Sequence, residues 1–281
     1  MDERKPDDGR ADELESLKRH SDAYSAGMTG ASHRPSLPFS HFIDAYARLL
    51  DELSRQLSEL TSHVINAGKG HVVQRYSDTD KQLYLLEEGW ACSKRYTRDS
   101  NIQRLELYVP DDIMGVRELA SLSVVSEISM LTPGRIRVFS GEQVNQAYET
   151  SAALRVVFLR YLAVRGNLVL DRLKSCVSVD APTRIIYLIL ETHTRLVNQN
   201  ALVGMEFELP LTQEEIGEFL GLSAVHVSRS FSLLEEYGYL KRDRNTIKIL
   251  NYQKSLDKAD FYREYIYRGS EESRGEPLGA G

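Results

Sequence analysis

The spacing of apolar residues changes period twice along the chain. Between residues 40 and 62, Phe42, Tyr46, Leu49, Leu50, Leu53, Leu57 and Leu60 recur every three or four positions, which predicts an amphipathic helix. From 63 to 139 the pattern shortens to β-rich runs: HVVQRY, KQLYLLEE, WACSKRYT, IQRLELYV, VVSEISML and RIRVFS. They are separated by Gly68, Gly70, Gly89, Pro110, Pro133 and Gly134. Short strands broken by turn residues predict an antiparallel jelly roll or barrel. Helical spacing returns over 143–178, where Val157, Tyr161, Val164 and Leu168 form one stripe and Phe158, Leu162, Val169 and Leu173 a second. Two stripes suit a helix that covers its own domain and also meets a partner helix, so Val157, Tyr161, Val164 and Leu168 are the expected dimer contacts. A single broad core-facing stripe within a monomer is the alternative.

Asp180-Ala-Pro-Thr opens a further helix, with Asp180 as N-cap and Pro182 in the first turn, running to about Leu196. Asn198, Gln199, Asn200 and Gly204 make a loop before the apolar run MEFELP. A Tyr-rich helix is expected at 256–268, then a tail. The chain divides into an arm (1–36), a β-rich domain with its leading helix (37–142), a dimerisation helix (143–179), a winged-helix domain (180–254) and a C-terminal helix and tail (255–281). Its fold class is α+β.

Residues 212–237 carry the chemistry. Thr212 and Glu215 form a capping box, in which each side chain bonds the other's backbone amide. Ile216, Phe219 and Leu220 give this short helix its buried face, and Gly217 allows close approach of the next. Gly221 leaves the helix with positive φ. Ser223 caps a second helix buried through Val227, Phe231 and Leu234. Two helices joined by a glycine-containing turn are the DNA-reading helix-turn-helix. Tyr239 to Leu250 alternates as a hairpin with Arg244 and Asn245 near its tip, the wing of a winged helix.

The expected DNA contacts are Thr212, Ser223, Ala224, Val225, His226, Ser228, Arg229, Ser232, Lys241 and Arg244. Arg229 is the candidate base reader, because a guanidinium can bond both guanine acceptors; a phosphate contact or an intrahelical pair is its alternative. Val225, one turn earlier, suits a thymine methyl or mere exposure. Ser223, His226 and Ser228 suit phosphates. Lys241, Arg242, Arg244 and Lys248 are further phosphate contacts or solvated wing charges.

A net charge of −6 is unusual for a DNA-binding protein, but its distribution matters more than its sum. Residues 180–254 hold eight Lys/Arg against ten Asp/Glu, whereas 221–254 hold six against three. A local phosphate footprint is expected, not a basic surface. The length of 281 residues favours two domains. Nothing approaches about eighteen uninterrupted apolar residues, so no membrane span is expected, and the N-terminus lacks a secretory signal. Two cysteines, Cys92 and Cys176, without CxxC or a His-rich cluster, argue against a disulfide scaffold, structural zinc or a four-cysteine cluster. A reducing cytoplasm and no cofactor are expected. Cys176 is expected as a plain buried cysteine, with a redox switch as alternative. His63 and His71 stand isolated and read as structural or exposed. No paired acid/base or nucleophile-base spacing stands out, and Cys92 and Ser126 show no partners, so no enzyme is expected.

These residues resemble the Crp/Fnr family of bacterial transcription regulators, related to the cyclic AMP receptor protein, over about 39–254. LTQEEIGEFLGLSAVHVSRSFSLLEEYGYL is similar to the family's DNA-binding signature, LYLLEEGWACSKRY to a strand turn of its effector barrel, and VPDDIMGV to the next strand junction. The resemblance implies an antiparallel jelly roll of cyclic-nucleotide-binding type, a long dimerisation helix and a C-terminal winged helix. It also implies a homodimer on an inverted-repeat operator in double-stranded DNA, in contact with RNA polymerase. Cyclic-nucleotide-binding members carry a Gly-Glu cassette followed by an Arg for the cyclic phosphate. Here Val116 follows Gly115, and Ser123 to Ser126 stand where that Arg is expected. Without the cation a buried phosphate lacks its partner, so cyclic AMP is not expected to bind in the usual mode, unless Arg117 turns inward. The cysteine cluster of the iron–sulfur members is missing from the N-terminus. The reading helix has Ala224 and Val225 where well-known members have Arg and Glu, while Arg229 is retained, so a distinct operator is expected. The rival reading is a ligand-sensing or protein-binding module with a degenerate DNA-binding domain, motivated by the acidic balance and the missing Glu.

Overall fold

Alternating side chains build the first half of the chain. The computed structural model describes Leu57, Leu60 and residues 62–98, 101–198, 202 and 204–261. Within these, eight strands form two antiparallel sheets: β1 (His63–Ala67), β2 (Val72–Gln74), β3 (Gln82–Glu88), β4 (Ala91–Tyr96), β5 (Ile102–Tyr108), β6 (Ile113–Met114), β7 (Glu127–Met130) and β8 (Gly134–Ser140). The strand orders are β1-β8-β3-β6 and β2-β7-β4-β5. β3 and β8 pair with Tyr84 opposite Val138 and Leu86 opposite Ile136. These four join Tyr108, Met114, Ile128 and Met130 in the core between the sheets. Leu83 and Phe139, also opposite each other, pack instead with helical Val144, Leu154, Val157, Phe158 and Tyr161. That split follows from the two-residue repeat of a strand, which sends neighbouring side chains to opposite faces. Six strands coincide with the expected runs, β8 starting one residue early at Gly134. The structure adds β1 and the short β6, which pairs Ile113 with Leu85, giving a jelly-roll-like sandwich.

The single helix expected over 143–178 is two helices, α1 (Gly141–Thr150) and α2 (Ala152–Ser178). Ser151 between them is extended, at φ −105° and ψ 111°, and its hydroxyl accepts from the Leu154 amide at 3.1 Å. A serine that competes with the backbone for hydrogen bonds ends one helix and caps the next.

The stripes of α2 also need correction. Val157, Tyr161 and Leu168 are buried in their own chain, and Val164 is half-buried. The Tyr161 hydroxyl donates to the Ile113 carbonyl at 2.7 Å and accepts from the Ile113 amide at 3.2 Å. Side chains so engaged have little surface left for a partner. Val156, Leu159, Leu162, Val169, Leu170, Leu173 and Val177 are the exposed ones, Val177 at 77%; Phe158, placed with the second stripe, is buried.

The second half is helical with a small sheet. Asp180 caps α3 (Ala181–Asn198) through Thr183 N–H, which donates to its carboxylate at 2.9 Å. Then come β9 (Glu206–Glu208), α4 (Gln213–Leu220), α5 (Ala224–Glu236), β10 (Leu240–Asp243), β11 (Thr246–Ile249) and α6 (Tyr252–Ala259). The MEFELP run thus supplies a strand, which pairs with β11. α6 starts at Tyr252, earlier than expected, and stops where Asp260 turns left-handed at φ 48°. One buried cluster holds Ile185, Ile189, Ile216, Val227, Phe231, Leu234 and Ile247 together with Cys92, Leu107, Val109 and Leu131 of the sandwich. The arm at 1–36, most of the helix at 40–62 and residues 262–268 lie outside the described residues; Leu57 is helical and buried.

Candidate nucleic-acid interface

The helix-turn-helix is built by its caps and glycines. Glu215 N–H donates to Thr212 Oγ1 at 3.2 Å while Thr212 N–H donates to Glu215 Oε2 at 2.9 Å, so the capping box is closed both ways. Gly221 is left-handed at φ 66°, as the chain reversal requires. Ser223 Oγ accepts from the His226 amide at 3.3 Å and starts α5. Val227, Ser230, Phe231 and Leu234 turn inward.

The remaining positions of α5 form its outer face. Val225, His226, Ser228, Arg229 and Ser232 are exposed and Ala224 is half-exposed. Among the described residues Arg229 has no hydrogen bond or ion pair, which removes the intrahelical pair as its role. Ser223 Oγ also lies 3.0 Å from His226 Nδ1. If the hydroxyl donates to Nδ1, the ring presents Nε2–H as its donor. Ser232 Oγ donates to the Ser228 carbonyl at 3.3 Å. Thr212 is exposed at the start of α4, where free amides favour an anion.

In the wing, Lys241 and Arg244 are exposed, Arg244 at the hairpin turn with φ 53°. Arg242 is engaged within its own domain. Its guanidinium stacks 4.5 Å from the Phe231 ring centroid, and it donates to the carbonyls of Arg244 and Leu211. Lys248 faces Glu206 at 3.6 Å. Lys254, the sixth cation of the basic stretch, donates to the Tyr237 carbonyl at 2.8 Å. Among the described residues, Arg229, Lys241 and Arg244 are the cations of 221–254 that stand exposed without a side-chain hydrogen bond or ion pair, fewer than the charge count implies.

Behind the interface lies a buried ionic network that the apolar pattern did not reveal. On α2, Arg165 Nε donates to Glu106 of β5 at 2.7 Å, and Arg172 Nε donates to Glu191 of α3 at 2.8 Å. Arg195 joins Glu191 to Asp112. Burial pushes the Glu106 carboxyl up, but the Arg165 charge and the Tyr108 hydroxyl bond, at 2.7 Å, outweigh it and hold the group at about 2. Charged residues inside apolar helical stripes (Arg165, Arg172, Glu191, Arg195) were the available signal; their partners come from distant segments. A cleft of about 410 Å³ between β5, β6 and α2 is lined by Glu106, Tyr108, Arg117, Tyr161 and Arg165, with exposed Leu162 and Val169 at its mouth.

Cys92 and Ser126, without evident partners in the sequence, are both engaged in the structure. Arg104 Nη1 donates to Cys92 Sγ at 2.8 Å. Ser126 Oγ donates to Glu118 Oε1 at 2.8 Å and accepts from Arg117 Nη2 at 3.0 Å. Cys176 is exposed, contrary to the buried cysteine expected: it lies toward the end of α2, beyond the part of the helix that packs on the sandwich.

A family model described as the Crp-like helix-turn-helix domain matches residues 183–254. The chain is 20% identical over 224 residues to the transcriptional regulatory protein Btr of Bordetella pertussis, covering 79% of this chain and 90% of that protein. It is 21% identical over 185 residues to the transcriptional activator protein FnrA of Stutzerimonas stutzeri, covering 65% and 75%. The solved structure of FixK2 from Bradyrhizobium japonicum shares the fold, with a TM-score of 0.64 at 20% identity over 70% of this chain and 97% of that one. A jelly-roll domain joined through a long helix to a Crp-like winged helix-turn-helix defines a class, the DNA-binding transcription regulators. Within it, residues 183–254 form a Crp-like helix-turn-helix domain, and the chain as a whole is similar to the Crp/Fnr regulators.

Proposed function

We propose that the protein acts as a homodimer that recognises an inverted-repeat operator through α5 and the β10–β11 wing, and that its jelly-roll domain does not take cyclic AMP in the usual mode. The carrying observation is the outer face of α5, where Val225 and an unengaged Arg229 stand exposed on a correctly capped helix-turn-helix. Arg229 bonds a guanine edge, Val225 meets a thymine methyl, and Ser223, Ser228, Lys241 and Arg244 hold phosphates. The exposed stripe Leu162, Val169, Leu173 and Val177 on α2 supports the dimer, because a helix this apolar on its outer side is stabilised by a second helix. Contact with RNA polymerase follows from the family resemblance, and a cytoplasmic location from the role.

Two observations support the reading of the jelly-roll domain. Ser123 to Ser126 stand where the phosphate-binding Arg is expected, and the Ser126 hydroxyl is bonded to Glu118, a buried carboxylate. Arg117 spends its charge on this pair, 3.8 Å from Glu118. A cyclic phosphate placed there would face a carboxylate in a dry site, which is unfavourable.

The test is a pulldown of genomic fragments with full-length protein. Enrichment of a palindromic motif is expected. Arg229→Ala should lose preference at one base pair of each half-site, about 1–3 kcal/mol per half-site; uniform loss on all sequences would make Arg229 a phosphate contact. Enrichment of no motif would favour a sensing or protein-binding module with a degenerate DNA-binding domain. Calorimetry with cyclic AMP should show no binding, and micromolar affinity would overturn that part.

A further inference from the structure

We propose that Arg104 is a positioning residue for DNA binding: from β5 it clamps the first helix of the helix-turn-helix onto the sandwich, and so fixes where the reading helix stands relative to the dimer axis. This placement rests on the reading above of a dimer on paired half-sites. Arg104 Nη2 meets Glu215 Oε1 at 2.8 Å, and Nε meets Glu218 Oε2 at 2.8 Å, the second a charge contact without hydrogen-bond alignment. Nη1 is held by Cys92 of the neighbouring strand β4. The guanidinium is thus pinned to the sheet on one side and to α4 on the other, with its side chain only 11% exposed.

The next two residues of β5 tie the strand to α2. The Leu105 carbonyl accepts from Arg172 at 3.1 Å, and Glu106 accepts from Arg165. Helix α4 is therefore linked through one strand to the helix that carries the exposed stripe, by a path independent of the Val179–Asp180 connection. Cys92 and Leu107 sit in the same buried cluster as Ile216 of α4, so the ionic clamp closes over an apolar contact. Without Arg104, Glu215 and Glu218 would be like charges at i and i+3, repelling each other and the nearby DNA backbone.

The clamped side is not the reading side. Val225, Arg229 and Ser232 remain exposed on α5, so Arg104 acts by geometry, without touching DNA. A two-fold operator sets its half-sites about 34 Å apart. A domain free to swing still binds one half-site but loses the advantage of binding both.

The experiment compares full-length protein, Arg104→Gln, Glu218→Gln and the double variant on the selected operator, on the operator with one half-site scrambled, and on operators with spacers lengthened by one or two base pairs. Arg104→Gln should bind the operator about tenfold more weakly, bind the single half-site within about twofold of the parent, and lose the spacing preference. Glu218→Gln should move the same way by less, and the double variant should be no worse than Arg104→Gln. Equal loss on full and single sites would overturn the proposal, because Arg104 would then only stabilise the domain; so would unchanged binding to both. Hydrogen exchange on the protein alone separates the clamp from the DNA reading. Arg104→Gln should raise exchange in both β5 and α4 while α5 stays protected, whether or not an operator is recovered, and unchanged exchange would sink the clamp itself.

Discussion

An ideal Cβ built on Gly217 stands 2.3 Å from the Leu222 carbonyl oxygen and 3.3 Å from its carbon, both backbone atoms of the turn. No side-chain rotation relieves that contact, so Gly217→Ala must part α4 from the turn. A cost of about 1–3 kcal/mol is expected, read as a lower melting temperature together with weaker DNA binding. Gly221 has open space around it and needs only its left-handed backbone, so Gly221→Asn should melt close to the parent. An equal loss in both variants would mean that steric approach is not what Gly217 provides. Positions like these were legible in the sequence, because Thr212, Glu215, Gly217, Gly221 and Ser223 answer to backbone geometry within a few residues. Arg242 was not: its stacking on Phe231 exists only once the wing has docked.

Helix α2 shows what periodicity can and cannot decide. Two apolar stripes were readable, but which one faces inward depends on groups far along the chain, such as Ile113, whose backbone holds the Tyr161 hydroxyl. The break at Ser151 was similarly concealed, since a serine is tolerated within many helices and acts as a cap only when the chain turns there. On the observed arrangement, Leu162→Glu with Val169→Glu places two charges on the exposed stripe. Sedimentation should then show a monomer, with the sandwich and the winged helix melting as before. Val157→Glu instead buries a charge against Leu83 and Phe139 and should unfold the sandwich. A dimer that survives the first pair would move the interface away from α2.

Across the whole molecule, the sandwich, α2 and α3 are joined by buried carboxylates and guanidiniums. Such a junction responds to acid. The Glu106 carboxyl, ordinarily at 4.5, is held at about 2, so the unfolded chain takes up its proton first as pH falls. Its contribution to stability is complete above about pH 4.5 and disappears as pH drops through about 2. Chemical denaturation of Glu106→Gln should show a shallower decline over that window than the parent, and parallel curves would assign the acid sensitivity to other groups. Domain order was readable from the change in period, but the junction was not, because all its ion pairs except Glu191–Arg195 join residues from separate segments. Glu215 has a consequence for how freely such modules can be exchanged. One of its oxygens closes the start of the reading motif and the other is held by the sandwich. A chimera that joined this winged helix to a foreign effector domain would keep its reading face yet lose its mooring, unless a cation equivalent to Arg104 travelled with it. Recombination between relatives therefore preserves function only when the seam keeps β5 and α4 as a matched pair.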